Sequence, residues 1–268
     1  MMHGFLPPAR FFPYLTWQEV ADMKDKANTV IIQPMGAVEQ HGYHLPLVVD
    51  SAISEGVMGA VLNSLSEDIP AYALPTIYYG KSNEHMGFPG TITLSAETLL
   101  KMLREVALSI YQAGFRKLIF MNSHGGQPQI LDIIARDLHQ EYPDFLIFPF
   151  FTWRAPHLTK QLLSEKEALM GIHAGDAETS LMLALLPEQV KMNLAVQEYP
   201  PELPDDSILT LERALPYPWI TKELSKSGVI GDATVATLEK GEKILASLTE
   251  GWIKVIESVY RYQSPSNK

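Results

Sequence analysis

Between Glu39 and Asp50 the sequence reads EQHGYHLPLVVD, which sets Glu39, His41, His44 and Asp50 among residues that carry no other charge. Acids of surface loops ordinarily sit among Lys, Ser and Asn, and buried carboxylates need a partner to offset their lost hydration. A divalent cation answers both objections, because carboxylate and imidazole are ligands that zinc and manganese accept. Two further segments have the same character. NSHGGQ, from Asn122 to Gln127, places His124 ahead of two glycines, where backbone can approach a ligand closely. HAGDAETS, from His173 to Ser180, offers His173, Asp176 and Glu178 at the opening of an expected helix, whose positive dipole end favours carboxylates. Asp176 is expected to cap that helix, and His44 to orient a ligand carboxylate rather than to bind an ion. Ser82, Glu84 and His85 lie in a Gly- and Pro-rich loop that could wall a pocket and contact substrate. The alternative for each acid is a solvated loop or helix-start role, and for each histidine a structural one.

The elements around these segments explain how they could meet. Thr29-Val30-Ile31-Ile32 is an apolar run that ends at the turn Gly36-Ala37, so the first cluster follows the carboxyl end of a buried strand, where open α/β sheets place their sites. Residues 51–65 predict a helix with Ile53, Val57, Ala60, Val61 and Ser64 on one face and Asp50 near its start. The run 71–78 is interrupted by Pro75 and is expected to form an edge strand or one that ends early. Ser95 caps a predicted helix carrying Leu99, Met102, Leu103, Val106 and Ile110, closed by Gly114. Then come a strand over 117–121, a helix over 128–141, a strand over 145–151, a helix over 177–186 stopped by Pro187, and a mostly helical stretch over 233–262. The Pro- and acid-rich residues 197–220 are expected to form a long surface excursion. Alternating strands and helices predict an α/β fold with a mainly parallel sheet covered on both faces, in one domain over residues 1–268.

Composition narrows the chemistry. With 31 Asp and Glu against 21 Lys and Arg, the net charge is −10 and no basic patch offers itself to nucleic acid. Cysteine is absent, which excludes disulfides and thiolate sites and leaves nitrogen and oxygen ligands. Pro7-Pro8, Arg10 and Pro13 break the apolar N-terminus, so it is not expected to act as a signal peptide, and no run reaches membrane-spanning length. A soluble, cytoplasmic protein acting on a small molecule, without nucleic-acid or membrane partners, is expected.

At these residues the chain resembles the creatininase family, the creatinine amidohydrolase-like proteins. The resemblance spans EQHGxHLP with the following Asp50, YGxSxEHxxFPGT from Tyr79 to Thr91, the histidine–glycine–glycine loop, HAGxxETS, and GDATxAxxEKGE from Gly231 to Glu242. It implies a three-layer α/β/α subunit, two divalent ions (zinc or manganese), and homo-oligomers, often hexamers. Carried over by motif, Glu39, Asp50 and His124 would bind one ion and His41 and Asp50 part of the second, with Asp50 bridging. Members that hydrolyse creatinine have a glutamate two residues beyond the loop histidine, whereas this chain has Gly126, and Glu178 is the expected compensating ligand. Those members also carry tryptophans near the later histidine, where this chain has Ala168-Leu169-Met170. The implied reaction is hydrolysis of an amide C–N bond by an ion-activated water, with His173 passing a proton to the leaving nitrogen. Creatinine is the leading named substrate; formamides, peptides, keto-cyclitols and a non-catalytic metal-binding role are the alternatives.

Overall fold

Four strands lie side by side in the order β2-β1-β3-β4, all parallel, in the computed structural model, which describes residues 2–204, 206–212 and 214–264. The chain runs α1 (Trp17–Asp22), β1 (Val30–Met35), α2 (Val49–Ser64), β2 (Ala71–Ala73), α3 (Ala96–Gln112), β3 (Lys117–Asn122), α4 (Pro128–Glu141) and β4 (Leu146–Phe151). It continues through α5 (Thr159–Leu162), α6 (Glu165–Met170), α7 (Asp176–Leu185), β5 (Gln197–Glu198), α8 (Thr221–Leu224), β6 (Gly231–Asp232) and α9 (Leu238–Arg261). Side-chain alternation divides the core into two layers. Val30 and Ile32 of β1 and Ile119 and Met121 of β3 face α2, α7 and α9. Ile31 and Met35 of β1 and Leu118 and Phe120 of β3 face α3 and α4. A mainly parallel sheet with helices on both faces is therefore the architecture, as the element order predicts.

Local chemistry sets the boundaries. Ser95 accepts from Thr98 N to cap α3, and Pro128 opens α4 at a position where its missing N–H costs nothing. Strand β2 stops at Ala73, ahead of Pro75, although Ile77 still bridges to Met35 beyond the interruption. The expectation for α2 needs correction. Rather than one buried face, every residue from Val49 to Leu62 except Ala60 is buried, because α7 and α9 close over the side away from the sheet. The excursion over 197–220 is mostly exposed, as expected, but it is tied at both ends: β5 pairs antiparallel with β6, and Thr221 is fully buried. Among the described residues no helix is long and apolar enough to cross a membrane.

Candidate active site and metal centre

The carboxyl ends of β1 and β3 deliver the cluster. Glu39 and His41 follow β1, Asp50 sits in the first turn of α2, and His124 follows β3, each at most 3% exposed. The crossing is close: a methyl group on Gly36 would lie 2.3 Å from Ser51 N, so only glycine lets the β1 turn pass under the start of α2. The loop histidine is fixed by its neighbour, since Asn122 Oδ1 accepts from His124 N and Asn122 Nδ2 donates to His124 O.

Hydrogen bonds assign which nitrogen each histidine turns inward. His124 Nε2–H donates to Lys81 O at 2.7 Å, leaving Nδ1 3.2 Å from Glu39 Oε2 and 3.4 Å from Asp50 Oδ2. His41 Nδ1–H donates to Glu39 O at 3.1 Å, leaving Nε2 3.6 Å from Asp50 Oδ1 and 4.0 Å from Glu178 Oε2. Asp50 thus offers one oxygen to each histidine. Glu39 Oε2, His41 Nε2 and Asp50 Oδ2 are buried and have no hydrogen-bond partner. Ligand-type atoms of Glu39, His41 and Asp50 lie within 4.8 Å of one another, as do those of His41, His173 and Glu178, of Glu39, His85 and His173, and of Glu39, Glu84 and His124.

The electrostatics show how strained the cluster is. Burial would lower His41, but Asp50, Glu178 and Glu39 outweigh it and hold the imidazole up at about 9. His124 is raised well above its ordinary value by Glu39 and Asp50 against the same burial penalty. Asp50 overcomes burial through His41 and His124 and is held far below the carboxylate range. Burial pushes Glu39 up, and pushes Glu178 up to about 7 with Asp50 and Glu39 adding and His41 opposing. Burial and the charge of His41 push His85 down to about 3, His44 to about 4 and His173 well below its ordinary value. The acids thus favour the charged forms of the two imidazoles beside Asp50, while burial disfavours charge on His85, His44 and His173.

The HAG turn brings the remaining residues in. Ala174 adopts φ 53°, an uncommon left-handed conformation for a non-glycine residue, and its N–H donates to Glu178 Oε2 at 2.6 Å. The turn is anchored by Glu167 of α6, whose Oε1 accepts from Asp176 N and whose Oε2 accepts from Asp232 N and from the Tyr199 hydroxyl, each at 2.9 Å. This corrects the reading of Asp176 as the capping acid. Gly175 is the cap residue, Glu167 satisfies the first helical amide, and Asp176 instead accepts from Ser180 Oγ and pairs with Lys240.

A second correction concerns His44, whose Nε2 meets the Thr179 hydroxyl at 2.8 Å and no carboxylate. The orienting role falls to His85. Its Nδ1 accepts from Gln40 Nε2 at 2.8 Å and from the Thr221 hydroxyl at 3.0 Å, which leaves Nε2–H facing Glu39 Oε1 at 3.3 Å. Ser82, fully buried, sits 3.3 Å from His124 Nε2. His173 stacks between the rings of His41 and His85, at centroid distances of 4.2 and 4.4 Å. Its Nε2–H donates to Gln40 O at 2.7 Å, so the free Nδ1 turns towards Glu39 Oε1 at 3.9 Å. Gln40 lies in the EQHG segment without a charge to draw attention to it, yet it is 4% exposed and its amide touches His85, His173 and Gly228 O.

The family model for creatininase, described as creatinine amidohydrolase, matches residues 13–256. The chain belongs to the creatininase family, whose members are hydrolases. Creatinine amidohydrolase of Pseudomonas putida is 31% identical over 256 residues, covering 90% of this chain and 94% of that protein. The mycofactocin precursor peptide peptidase of Mycolicibacterium smegmatis is 30% identical, covering 89% and 87%. The 3-dehydro-scyllo-inosose hydrolase of Thermotoga maritima is 26% identical, covering 94% and 84%. Among solved structures, a putative creatinine amidohydrolase from Bacteroides fragilis superposes with a TM-score of 0.82 at 25% identity, covering 96% of this chain and 99% of that one. A mutant creatininase of zinc–zinc type superposes with a TM-score of 0.75 at 28% identity, covering 94% and 98%.

Proposed function

We propose that this creatininase-family amidohydrolase cleaves a C–N bond of a small cyclic or linear amide with two divalent ions, zinc or manganese, held by Glu39, His41, Asp50, His124 and Glu178. The observation that carries the reading is the trio of buried, unpartnered atoms, Glu39 Oε2, His41 Nε2 and Asp50 Oδ2, on three residues whose ligand-type atoms come within 4.8 Å of one another. Left without a cation these atoms are costly, because a buried polar group without a partner pays its desolvation in full. The donor set suits the group: nitrogen and oxygen ligands only, with the second nitrogen of each histidine already committed to a backbone carbonyl. The zinc–zinc creatininase relative supports the choice of metal.

Bound divalent ions supply an acidified water and a polarised carbonyl. The chain's residues do the rest. Asp50, with one oxygen towards His41 and one towards His124, would help to hold both ions. His85 holds Glu39 by Oε1 and turns Oε2 into the cluster. Gln40 fixes the tautomer of His173 through its carbonyl, so the ring presents Nδ1 to the cavity. As water oxygen adds to the amide carbon and the C–N bond breaks, His173 takes the proton the water loses and delivers it to the leaving nitrogen, yielding an acid and an amine. Ser82 and His85 form the inner wall against which the rest of the substrate lies.

Creatinine leads among substrates, and the relatives named for a precursor peptide and an inosose set the competing classes. Protein loaded with zinc or manganese and assayed for metal should hold two ions per chain. Turnover should then appear with one class among creatinine, formamides, short peptides and keto-inositols. A fully loaded protein inert towards all four, or one that holds no ion, overturns the proposal.

A further inference from the structure

Gln127 follows the two loop glycines and opens α4, yet its side chain does not cap that helix. It is fully buried, and its amide oxygen and both amide hydrogens are engaged. Oε1 accepts from Lys81 N at 3.1 Å, and Nε2 donates to Asn122 Oδ1 at 2.8 Å and to Gly36 O at 3.3 Å. Turned end for end, the amide would set a donor against Lys81 N–H and an acceptor against two oxygens, so only one orientation satisfies it. The three partners belong to three segments: the turn after β1, the end of β3 and the 79–91 loop. Their approach is tight, since a methyl group on Gly80 would lie 2.5 Å from Gln127 Oε1 and 2.7 Å from Gly36 O.

Two chains of hydrogen bonds lead from this amide to His124. Asn122 Oδ1, which takes one Gln127 hydrogen, also accepts from His124 N, while Asn122 Nδ2 donates to His124 O. On the other side Gln127 holds the 80–81 peptide by Lys81 N–H, and Leu94 N–H holds the same peptide by Gly80 O. Thr93 Oγ1 holds the next peptide by Ser82 N–H, and the carbonyl of that peptide, Lys81 O, accepts His124 Nε2–H at 2.7 Å. Other acceptors compete for this proton: Ser82 Oγ stands 3.3 Å and Glu84 Oε1 3.6 Å from Nε2. A carbonyl held in place wins it and keeps the ring turned so that Nδ1 faces Glu39 and Asp50.

We propose that Gln127 is the positioning residue of His124. It sets the backbone of His124 through Asn122 and the ring through the Lys81 carbonyl, so that Nδ1 is the nitrogen offered to the ion shared with Glu39 and Asp50. The assignment rests on the two-ion reading. The effect of Gln127 is confined to that ion, because His41 and Glu178 are held elsewhere, by Glu39 O and by Ala174 N.

The test is the two-step zinc-binding isotherm of the full chain, measured by competition with a chelating dye. It is read beside the proton magnetic-resonance spectrum of the zinc-loaded protein, in which His124 Nε2–H gives a downfield signal that His124→Gln lacks. Glu178→Ala marks the step that belongs to the other ion. Gln127→Met keeps the length of the side chain and removes its amide. It should weaken the His124 step roughly tenfold or more and shift or abolish the downfield signal, with the Glu178 step unchanged. Thr93→Val releases the Lys81–Ser82 peptide from its other side and should weaken the same step about threefold. Ser247→Ala breaks the buried bond from Leu158 N, away from the cluster, and should leave both steps and the signal alone. An intact His124 step with an unmoved signal in Gln127→Met, or equal weakening of both steps, overturns the assignment while leaving the two-ion reading standing. If Gln127→Met does not fold, an untouched His124 step in Thr93→Val does the same. A wild-type protein that binds no zinc overturns both.

Discussion

Glu167 is the residue whose loss should travel furthest from its own position. One carboxylate accepts three hydrogen bonds, from Asp176 N at the start of α7, Asp232 N at the end of β6, and the Tyr199 hydroxyl beyond β5. It is 3% exposed, and three glycines crowd it: a methyl group on Gly175 would stand 2.1 Å from Oε1, with Gly171 and Gly231 close behind. Glu167→Gln preserves volume but replaces one oxygen with a donor. The least damaging orientation keeps an oxygen towards Asp232 and Tyr199 and turns the amide towards Asp176 N–H, donor against donor. That loses one charge-assisted bond, worth roughly 1.5–3 kcal/mol, and leaves a buried N–H unsatisfied at a further 1–3 kcal/mol or so. The variant should therefore lose about 3–5 kcal/mol, a large share of the roughly 5–15 kcal/mol that holds a domain together.

Tyr199→Phe removes a single neutral donor and should cost only about 1 kcal/mol. Urea unfolding of metal-free protein measures both variants without interference from ion binding. The same clamp sets the register of the HAG turn, so Glu167→Gln should also weaken the ion beside Glu178 more than the ion beside His124. A loss below about 1 kcal/mol in Glu167→Gln, or a larger loss in Tyr199→Phe, would refute the clamp as drawn.

The remaining expectations concern the site itself. Asp50→Ala should lose both ions, because each oxygen faces a different histidine, and metal analysis of the purified variant decides this. His173→Gln should keep both ions and the melting temperature while turnover falls by about 10² to 10⁴; an emptied site makes His173 a ligand, and near-normal turnover with both ions bound ends its role in proton transfer. His44 is held down at about 4 by burial and by His41, so it stays neutral in the folded protein while its unfolded counterpart takes up a proton below about 6.5. Its contribution to stability is complete above that pH and is lost as pH falls towards 4. The unfolding free energy of metal-free His44→Gln should therefore fall less between pH 7 and 5 than that of the parent, by up to about 2 kcal/mol, and parallel curves would contradict this.

The fold is legible in the sequence where periodicity and punctuation agree. Ser95, Pro128 and the apolar runs at β1 and β3 each mark an element that forms within a residue or two of its expected limits. Helix α2 is misleading because it carries Ser, Gly and Glu at positions that read as a solvent face. Ser54 instead bonds Met121 O and Met35 N, and Glu55 accepts from Phe5 N and Tyr78. Polar residues satisfied by distant backbone cannot be told from solvated ones by pattern alone.

The same limit runs through the site. Glu39, His41 and Asp50 announce themselves because they crowd one short segment. Gln40 and Thr221 cannot, and neither can the orienting role of His85, since their meaning lies in contacts made across 45 and 136 positions of sequence. Glu84 is one acid in a wall loop until the fold sets it over Gly126.

The division of labour between near and distant residues follows from what each must do. The short segment after β1 supplies ligand atoms, and one rigid strand end can fix several of them together. Orienting those atoms requires partners on other elements, because a side chain cannot be held from both sides by its own segment. Glu39 shows this: its Oε1 is held by His85 from the 79–91 loop, and only then is Oε2 left facing His124 from β3. His173 repeats the pattern, with its Nε2–H on Gln40 O and its Nδ1 turned inward. Each inward-facing atom is free because the opposite atom of the same group is engaged, so Thr221→Ala or Gln40→Ala should loosen the centre without touching a ligand. Chelator competition on those two variants should show weaker binding at the Glu39 end and unchanged binding at Glu178.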